Sequence, residues 1–216
     1  MIGLPDVKGI IFDMDNTLLQ SRIDYAAMKR DVFRFFVEHE VVSADLPVHA
    51  HTTSTIIELA KNSGVSEQLM TAAWEIVTRH EISGMQCAGI EPGTFHMLET
   101  LIGRFKLAVL TNNSMRSAHP ALQSAGILSC FDRVVCREQM TALKPSASGI
   151  YAIFDHFPDV PRESWILIGD SWIDGRAAET AGIPFISYKA DLKKLSEKSV
   201  EPVFSVSSMK ALIHIL

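Results

Sequence analysis

Short apolar runs that end in polar residues recur along this chain, and stretches with a helical period separate them. The first run, Gly9-Ile10-Ile11-Phe12, has no polar member and reads as a strand buried on both faces. It stops at Asp13, and Asp15 and Thr17 follow at two-residue steps. The texture then changes. From Asp24 to about His39, Tyr25, Met28, Val32, Phe35 and Phe36 recur at helical spacing opposite Lys29, Arg30, Arg34 and Glu38. After a polar, Pro-containing break at 43–47, residues 55–60 carry a second helical pattern, ended by Asn62-Ser63-Gly64. Ser66 is placed to cap a third, which runs through Met70, Ala73, Trp74 and Val77 to about Glu81. No strand pattern interrupts residues 20–85, so this block is expected to be an all-helical insertion.

Pro92-Gly93 gives a turn, after which Thr94 is expected to cap a helix with Phe95, Leu98, Leu101 and Ile102 on one face. Further strands are expected at 105–110, 133–136, 165–169 and 184–188. Helices are expected from Ser114 to Ala125 with Gly126 as C-cap and Pro120 inside, and at 146–156. Another runs from Asp174 to Ala181, closed by Gly182, and a last short one spans 206–216. The Lys-rich run 189–198 reads as a solvated helix face or loop. Strand and helix alternate from residue 92 onward, which predicts the α/β class with a Rossmann-like parallel sheet of five or more strands. The core would comprise residues 1–19 and 86–216, with the helical block at 20–85 inserted after its first strand.

Composition narrows the possibilities. At 216 residues, 47% hydrophobic and 21% charged, the chain can bury a sizeable core. A formal net charge of −5 argues against a nucleic-acid-binding surface. No apolar run reaches the ~20 residues that a membrane helix needs. Cys87, Cys130 and Cys136 are odd in number and match no metal spacing, and Cys130 and Cys136 read as small packed residues rather than a disulfide. The start, with Pro5, Asp6 and Lys8 ahead of the first strand, does not read as a signal peptide. Together these features point to the reduced cytoplasm.

Candidate chemistry lies at the strand ends. The first strand delivers Asp13 and Asp15, the second Thr111 and Asn112, and the fourth Gly169-Asp170, with Asp174 four residues on. Lys144-Pro145 lies between the third and fourth strands. Parallel strands bring such groups to one edge of the sheet, where α/β proteins place their ligands. Close carboxylates repel unless a cation or shared proton offsets their charge, and all-oxygen ligands favour a hard cation such as Mg²⁺. Four carboxylates with a hydroxyl, an amide and an ammonium suit phosphoryl transfer, in which a metal and a lysine neutralise phosphate oxygens while a carboxylate attacks phosphorus.

Asp13-Met14-Asp15-Asn16-Thr17, Thr111-Asn112, Lys144-Pro145 and Gly169-Asp170-Ser171-Trp172-Ile173-Asp174 resemble, in order, the four motifs of the haloacid dehalogenase-like superfamily. The helical block at 20–85 stands where the phosphoglycolate phosphatase-like branch carries its cap. The resemblance implies that Asp13 is a nucleophile forming an aspartyl-phosphate and that Asp15 is the general acid/base. It implies Mg²⁺ held by Asp13, the backbone carbonyl of Asp15, and Asp170, with Asp174 supporting. Thr111 and the amide of Asn112 would bind phosphoryl oxygens, and Lys144 would offset charge on Asp13 and the phosphate. The implied activity is Mg²⁺-dependent hydrolysis of a small phosphorylated metabolite, of phosphoglycolate or sugar-phosphate type.

Asn16 stands where glycine is commonest in the family, and asparagine tolerates the positive φ of such a turn. A phosphomutase of the β-phosphoglucomutase type shares all four motifs and is the alternative. A non-catalytic binding protein on the same fold would show a broken nucleophile or metal site, and none is broken here. Lys29, the candidate for a phosphonate-cleaving Schiff base, is expected on a solvated face beside Arg30. His49 and His51 read as a polar loop or helix start rather than a metal pair. Trp172 would either wall the metal site or pack on the sheet, and Arg22, Tyr25, Met85 and Cys87 flank the junctions of the insertion.

Overall fold

The structure, a computed structural model, describes residues 6–216, so the reading of Pro5 lies outside the described residues. The chain divides into two compact units, Arg22–Cys87 and Met1–Ser21 with Ala88–Leu216.

The larger unit is built on a parallel sheet. Its strands are β1 (Gly9–Phe12), then, beyond the helical unit and a small antiparallel pair β2 (Leu19–Gln20) and β3 (Gly89–Ile90), β4 (Lys106–Leu110), β5 (Arg133–Val135), β6 (Trp165–Gly169), β7 (Phe185–Tyr188) and β8 (Phe204–Val206). The six strands of the main sheet lie in the order β5-β4-β1-β6-β7-β8, every neighbouring pair parallel. From β1 the chain proceeds outward to β4 and β5, then crosses to β6 on the other side of β1. That reversal places the topological switch point at the carboxyl ends of β1 and β6, beside β4.

Ile10, Ile11 and Phe12 are wholly buried, as a strand covered on both faces must be. Ile11, Ala108, Leu110 and Leu167 pack with Ile150, Ile153, Phe154, Ala177 and Ala178 in one continuous core. The helical members of that core come from α6 (Ser148–His156) and α7 (Trp172–Ala181). The other helices of this unit are α4 (Thr94–Leu101), α5 (Met115–Ser124), α8 (Leu192–Glu197) and α9 (Met209–Ile215).

The smaller unit holds α1 (Tyr25–Glu38), α2 (Thr53–Asn62) and α3 (Glu67–Met85). Met28, Val32 and Phe36 of α1 are buried, as are Ile56, Ile57 and Ala60 of α2 and Ala73 and Val77 of α3. These are the positions at helical spacing. Asp24 caps α1 by accepting from the Ala27 N–H at 2.8 Å, and Ser66 caps α3 by accepting from Leu69 at 3.3 Å.

Several local expectations are corrected. The unit boundary falls at Arg22 and Cys87, because Leu19 and Gln20 pair with Ile90 and Gly89 in the larger unit. Gly93, not Thr94, occupies the N-cap of α4: its φ of 88° is a left-handed conformation open to glycine, and Thr94 is the buried first helical residue. Helix α3 continues to Met85. Helix α7 begins at Trp172, since Ser171 and Asp174 form its capping box. The C-cap of α5 is Ala125, and Gly126 follows it at φ 72°. The Lys-rich run agrees with its reading as a solvated helix face: it contains α8, capped by Asp191 and exposed except at Leu195. Strand β8 has no counterpart in the sequence reading, because it is a short edge strand with Phe204 and Ser205 exposed and carries no apolar run.

Candidate active site

The carboxyl end of β1 delivers Asp13, whose N–H donates to the Ile168 carbonyl at 2.9 Å and which is only 6% exposed. The chain then turns tightly. The Leu18 and Leu19 N–H groups donate to the Met14 carbonyl at 3.0 and 2.9 Å, and Asn16 donates to the Leu19 carbonyl at 2.7 Å. Asn16 takes φ 56°, the left-handed conformation that asparagine can adopt in place of glycine. The turn thereby presents Asp15 on the same side as Asp13.

At the end of β4, the Thr111 N–H donates to the Val135 carbonyl at 3.0 Å, which continues the ladder into the loop. The Thr111 hydroxyl accepts from the Asn113 N–H at 3.1 Å. Asn112 clasps the backbone of Lys144: its Oδ1 accepts from the Lys144 N–H at 2.8 Å and its Nδ2 donates to the Lys144 carbonyl at 3.1 Å. The side chain of Asn112 thus holds the lysine loop, while the resemblance assigns its backbone amide to phosphate.

Lys144 is 3% exposed, and its ammonium is the hub of the site. It donates to Asp13 Oδ1 at 2.5 Å and to the Leu110 carbonyl at 2.9 Å, and it pairs with Asp174 Oδ1 at 2.7 Å. Asp174 is 1% exposed at the N-terminus of α7, where its other oxygen accepts from the Ser171 N–H at 3.1 Å. Asp170 follows directly on β6.

One ammonium therefore faces the carboxylates of Asp13, Asp170 and Asp174, which each offer an oxygen within 4.8 Å of the others. Burial pushes the Asp13 carboxyl well above its ordinary value, against the pull of Lys144, and the negative charges of Asp174, Asp170 and Asp15 push the same way. Asp170 is pushed up to about 7, first by burial and then by Asp174, with Lys144 opposing. Burial alone would lower Lys144, but Asp13 and Asp174 outweigh it and hold the ammonium charged. The excess of negative charge, on oxygen donors only, fits a hard divalent cation. Among the described residues, this is the group of side chains able to hold a metal ion.

Two neighbours were not singled out in the sequence. Asn113, 5% exposed, donates from its side-chain amide to Asp15 Oδ2 at 2.9 Å. Arg137 is 9% exposed; its N–H donates to the Asn113 carbonyl at 3.0 Å, and its guanidinium reaches the Asn112 carbonyl at 3.4 Å. The second asparagine of the Thr-Asn-Asn run was the signal available for Asn113; nothing local marks Arg137.

The remaining candidates take other positions. Trp172 is partly buried against the core of the sheet, with the Lys198 ammonium 5.1 Å from its ring centre. Lys29 is not on a solvated face as expected. Its ammonium donates to the carbonyls of Val48 and His51 at 3.1 and 3.0 Å and fastens the 3₁₀ turn Val48–Ala50 to α1. His49 lies in that turn. Cys87, Cys130 and Cys136 are all free thiols.

An open parallel α/β sheet that gathers acidic side chains around one buried lysine at its switch point defines an enzyme-type site. The family model of haloacid dehalogenase-like hydrolases matches residues 10–188, and the chain belongs to that family. A phosphoglycolate phosphatase of Nitrosospira multiformis is 27% identical over 188 residues, covering 82% of this chain and 80% of that protein. Among solved structures, a predicted phosphoglycolate phosphatase from Haemophilus somnus superposes with a TM-score of 0.71 at 19% identity, covering 99% of each chain. The HAD-hydrolase YfnB of Bacillus subtilis, solved bound to magnesium, gives a TM-score of 0.64 at 20% identity over 98% of this chain and 99% of that one. At these identities the structural likenesses speak for the fold alone.

Proposed function

We propose that this protein is a Mg²⁺-dependent phosphatase that hydrolyses a small phosphomonoester through an aspartyl-phosphate on Asp13. The observation that carries the reading is the buried ammonium of Lys144 between Asp13 and Asp174, inside a carboxylate cluster at the carboxyl edge of the sheet. Lys144 keeps the Asp13 carboxylate oriented and offsets charge on the incoming phosphoryl group. Asp13, Asp170 and the backbone carbonyl of Asp15 would hold the cation, with Asp174 supporting it and Lys144 together. When bound, the cation neutralises phosphoryl oxygens so that an anionic nucleophile can approach.

Asp13 attacks phosphorus, the bond to the leaving oxygen breaks, and Asp15 gives that oxygen its proton. A water then attacks phosphorus, gives a proton to Asp15, and releases phosphate as the bond to Asp13 breaks. Thr111 and the Asn112 amide contact the phosphoryl oxygens at the end of β4. The inserted helical block, Arg22–Cys87, would act as the cap that selects the substrate. Phosphoglycolate is the first substrate to test, because curated relatives covering most of the chain carry that name. The setting is the cytoplasm.

Phosphate release from a panel of small phosphomonoesters, with Mg²⁺ and with EDTA, tests the reading against Asp13→Asn. Metal-dependent release that the variant loses by on the order of 10⁴-fold is the expected result. Turnover unchanged in EDTA, or retained in the variant, would reject it.

A further inference from the structure

Asn113 bonds to Asp15 across 98 residues of sequence, and its own backbone is pinned on both sides. Its N–H donates to the Thr111 hydroxyl at 3.1 Å, and its carbonyl accepts from the Arg137 N–H at 3.0 Å. At 5% exposure the side chain has no room to swing. The Thr111 hydroxyl lies 3.5 Å from Asp15 Oδ2, against 2.9 Å for the Asn113 amide, so the amide is the stronger hold on that oxygen.

We propose that Asn113 is the positioning residue of the acid/base Asp15, fixing the orientation of the carboxyl group that exchanges the proton. This rests on the phosphatase reading. An amide N–H only donates, so Oδ2 of Asp15 is committed as its acceptor and the plane of the carboxyl group is held. A carboxyl without such a hold turns about a broad, roughly two-fold torsion, and either oxygen can present itself. Fixing the torsion keeps the carboxyl group in one orientation through the two proton transfers, from acid to leaving oxygen and from water to base. The Thr111–Asn113 loop thus has two tasks: its first two residues face phosphate, and its third holds the proton donor.

The test compares leaving groups. The first irreversible step, which kcat/KM reports, needs a proton when an alkoxide departs and needs little or none when 2,4-dinitrophenolate departs. Asn113→Ala and the similarly sized Asn113→Leu, which cannot donate, are assayed with an alkyl phosphomonoester and with 2,4-dinitrophenyl phosphate. Circular dichroism and melting temperature are measured beside wild type. The expected result is a loss of about 10²-fold in kcat/KM for the alkyl ester, with dinitrophenyl phosphate hydrolysed within about 3-fold of wild type. Equal losses on both esters would show a merely structural role and overturn the proposal, as would no loss on either. Wild type that releases phosphate from neither ester would overturn the phosphatase reading itself, which separates the two failures.

Discussion

Gly169 leaves the space that the Asp174 carboxylate fills: a Cβ at residue 169 would stand 2.6 Å from Asp174 Cγ and 2.7 Å from its Oδ2. The last residue of β6 and the first turn of α7 are therefore fitted to each other, and Asp174 reaches Lys144 only because residue 169 has no side chain.

Gly169→Ala should displace Asp174 from Lys144 while leaving the sheet assembled. Overpacking of this kind costs about 1–3 kcal/mol, so the variant should remain folded at room temperature. Activity should fall and the Mg²⁺ concentration for half-maximal activity should rise. Wild-type kinetics and metal dependence in this variant would remove Asp174 from the working site.

Lys144→Met tests the charge balance at the hub. Removing one partner of a buried ion pair costs about 3–5 kcal/mol, and here it leaves Asp13 and Asp174 facing each other. Thermal unfolding in EDTA should show that loss, and Mg²⁺ should recover part of it by binding the folded state alone. A variant as stable as wild type in EDTA would contradict the role given to the ammonium.

The pH dependence of metal binding follows from Asp170, whose carboxyl is pushed up to about 7 by burial and Asp174. A raised folded-state value means a stabilising contribution that is complete below the ordinary carboxylate range and is lost as pH rises through about 7. The metal-free protein should therefore melt at a lower temperature at pH 8 than at pH 6. A cation must displace that proton, so the rise in melting temperature on adding Mg²⁺ should be larger at pH 8, with protons released on binding at pH 6. Equal Mg²⁺ shifts at both pH values would refute the assignment of Asp170 to the metal.

Glu91 gives a test away from the chemistry. It is 4% exposed just after β3, where it accepts from the Tyr188 hydroxyl at 2.7 Å and Gln20 Nε2 at 3.2 Å and pairs with Lys189. Burial raises its carboxyl, but the bonds from Lys189, Tyr188 and Gln20 outweigh it and hold the value below the ordinary 4.5. A depressed value means stability present above that range and lost as pH falls through the folded value. Glu91→Gln should cost about 1.5–3 kcal/mol at pH 7, with the difference from wild type shrinking as pH falls below about 4. A difference that stays constant down to pH 3 would show that the ionised form contributes nothing.

Asp170→Ala should raise the Mg²⁺ requirement strongly, measured as the metal concentration for half-maximal phosphate release. Unchanged metal dependence would take Asp170 out of the metal set.

The sequence by itself determined the class of the fold, because short apolar runs such as Gly9–Phe12 and Trp165–Gly169, too short for helices, alternate with stretches of helical period. It also marked the groups that end those strands, since a buried run that stops at a carboxylate must bring the charge to a sheet edge. Periodicity was sufficient for α1 and α3, whose buried stripes depend on local spacing alone. The tertiary structure decided what depends on residues distant in the chain. That the Asn112 side chain holds Lys144, that Asn113 holds Asp15, and that Lys144 bridges Asp13 and Asp174 are contacts spanning 30 to 131 residues. The same is true of β8, which carries no hydrophobic pattern and exists as a strand only because β7 offers its edge. A one-dimensional pattern records which face of an element seeks the core; which polar groups then meet is set by the register and order in which the elements pack.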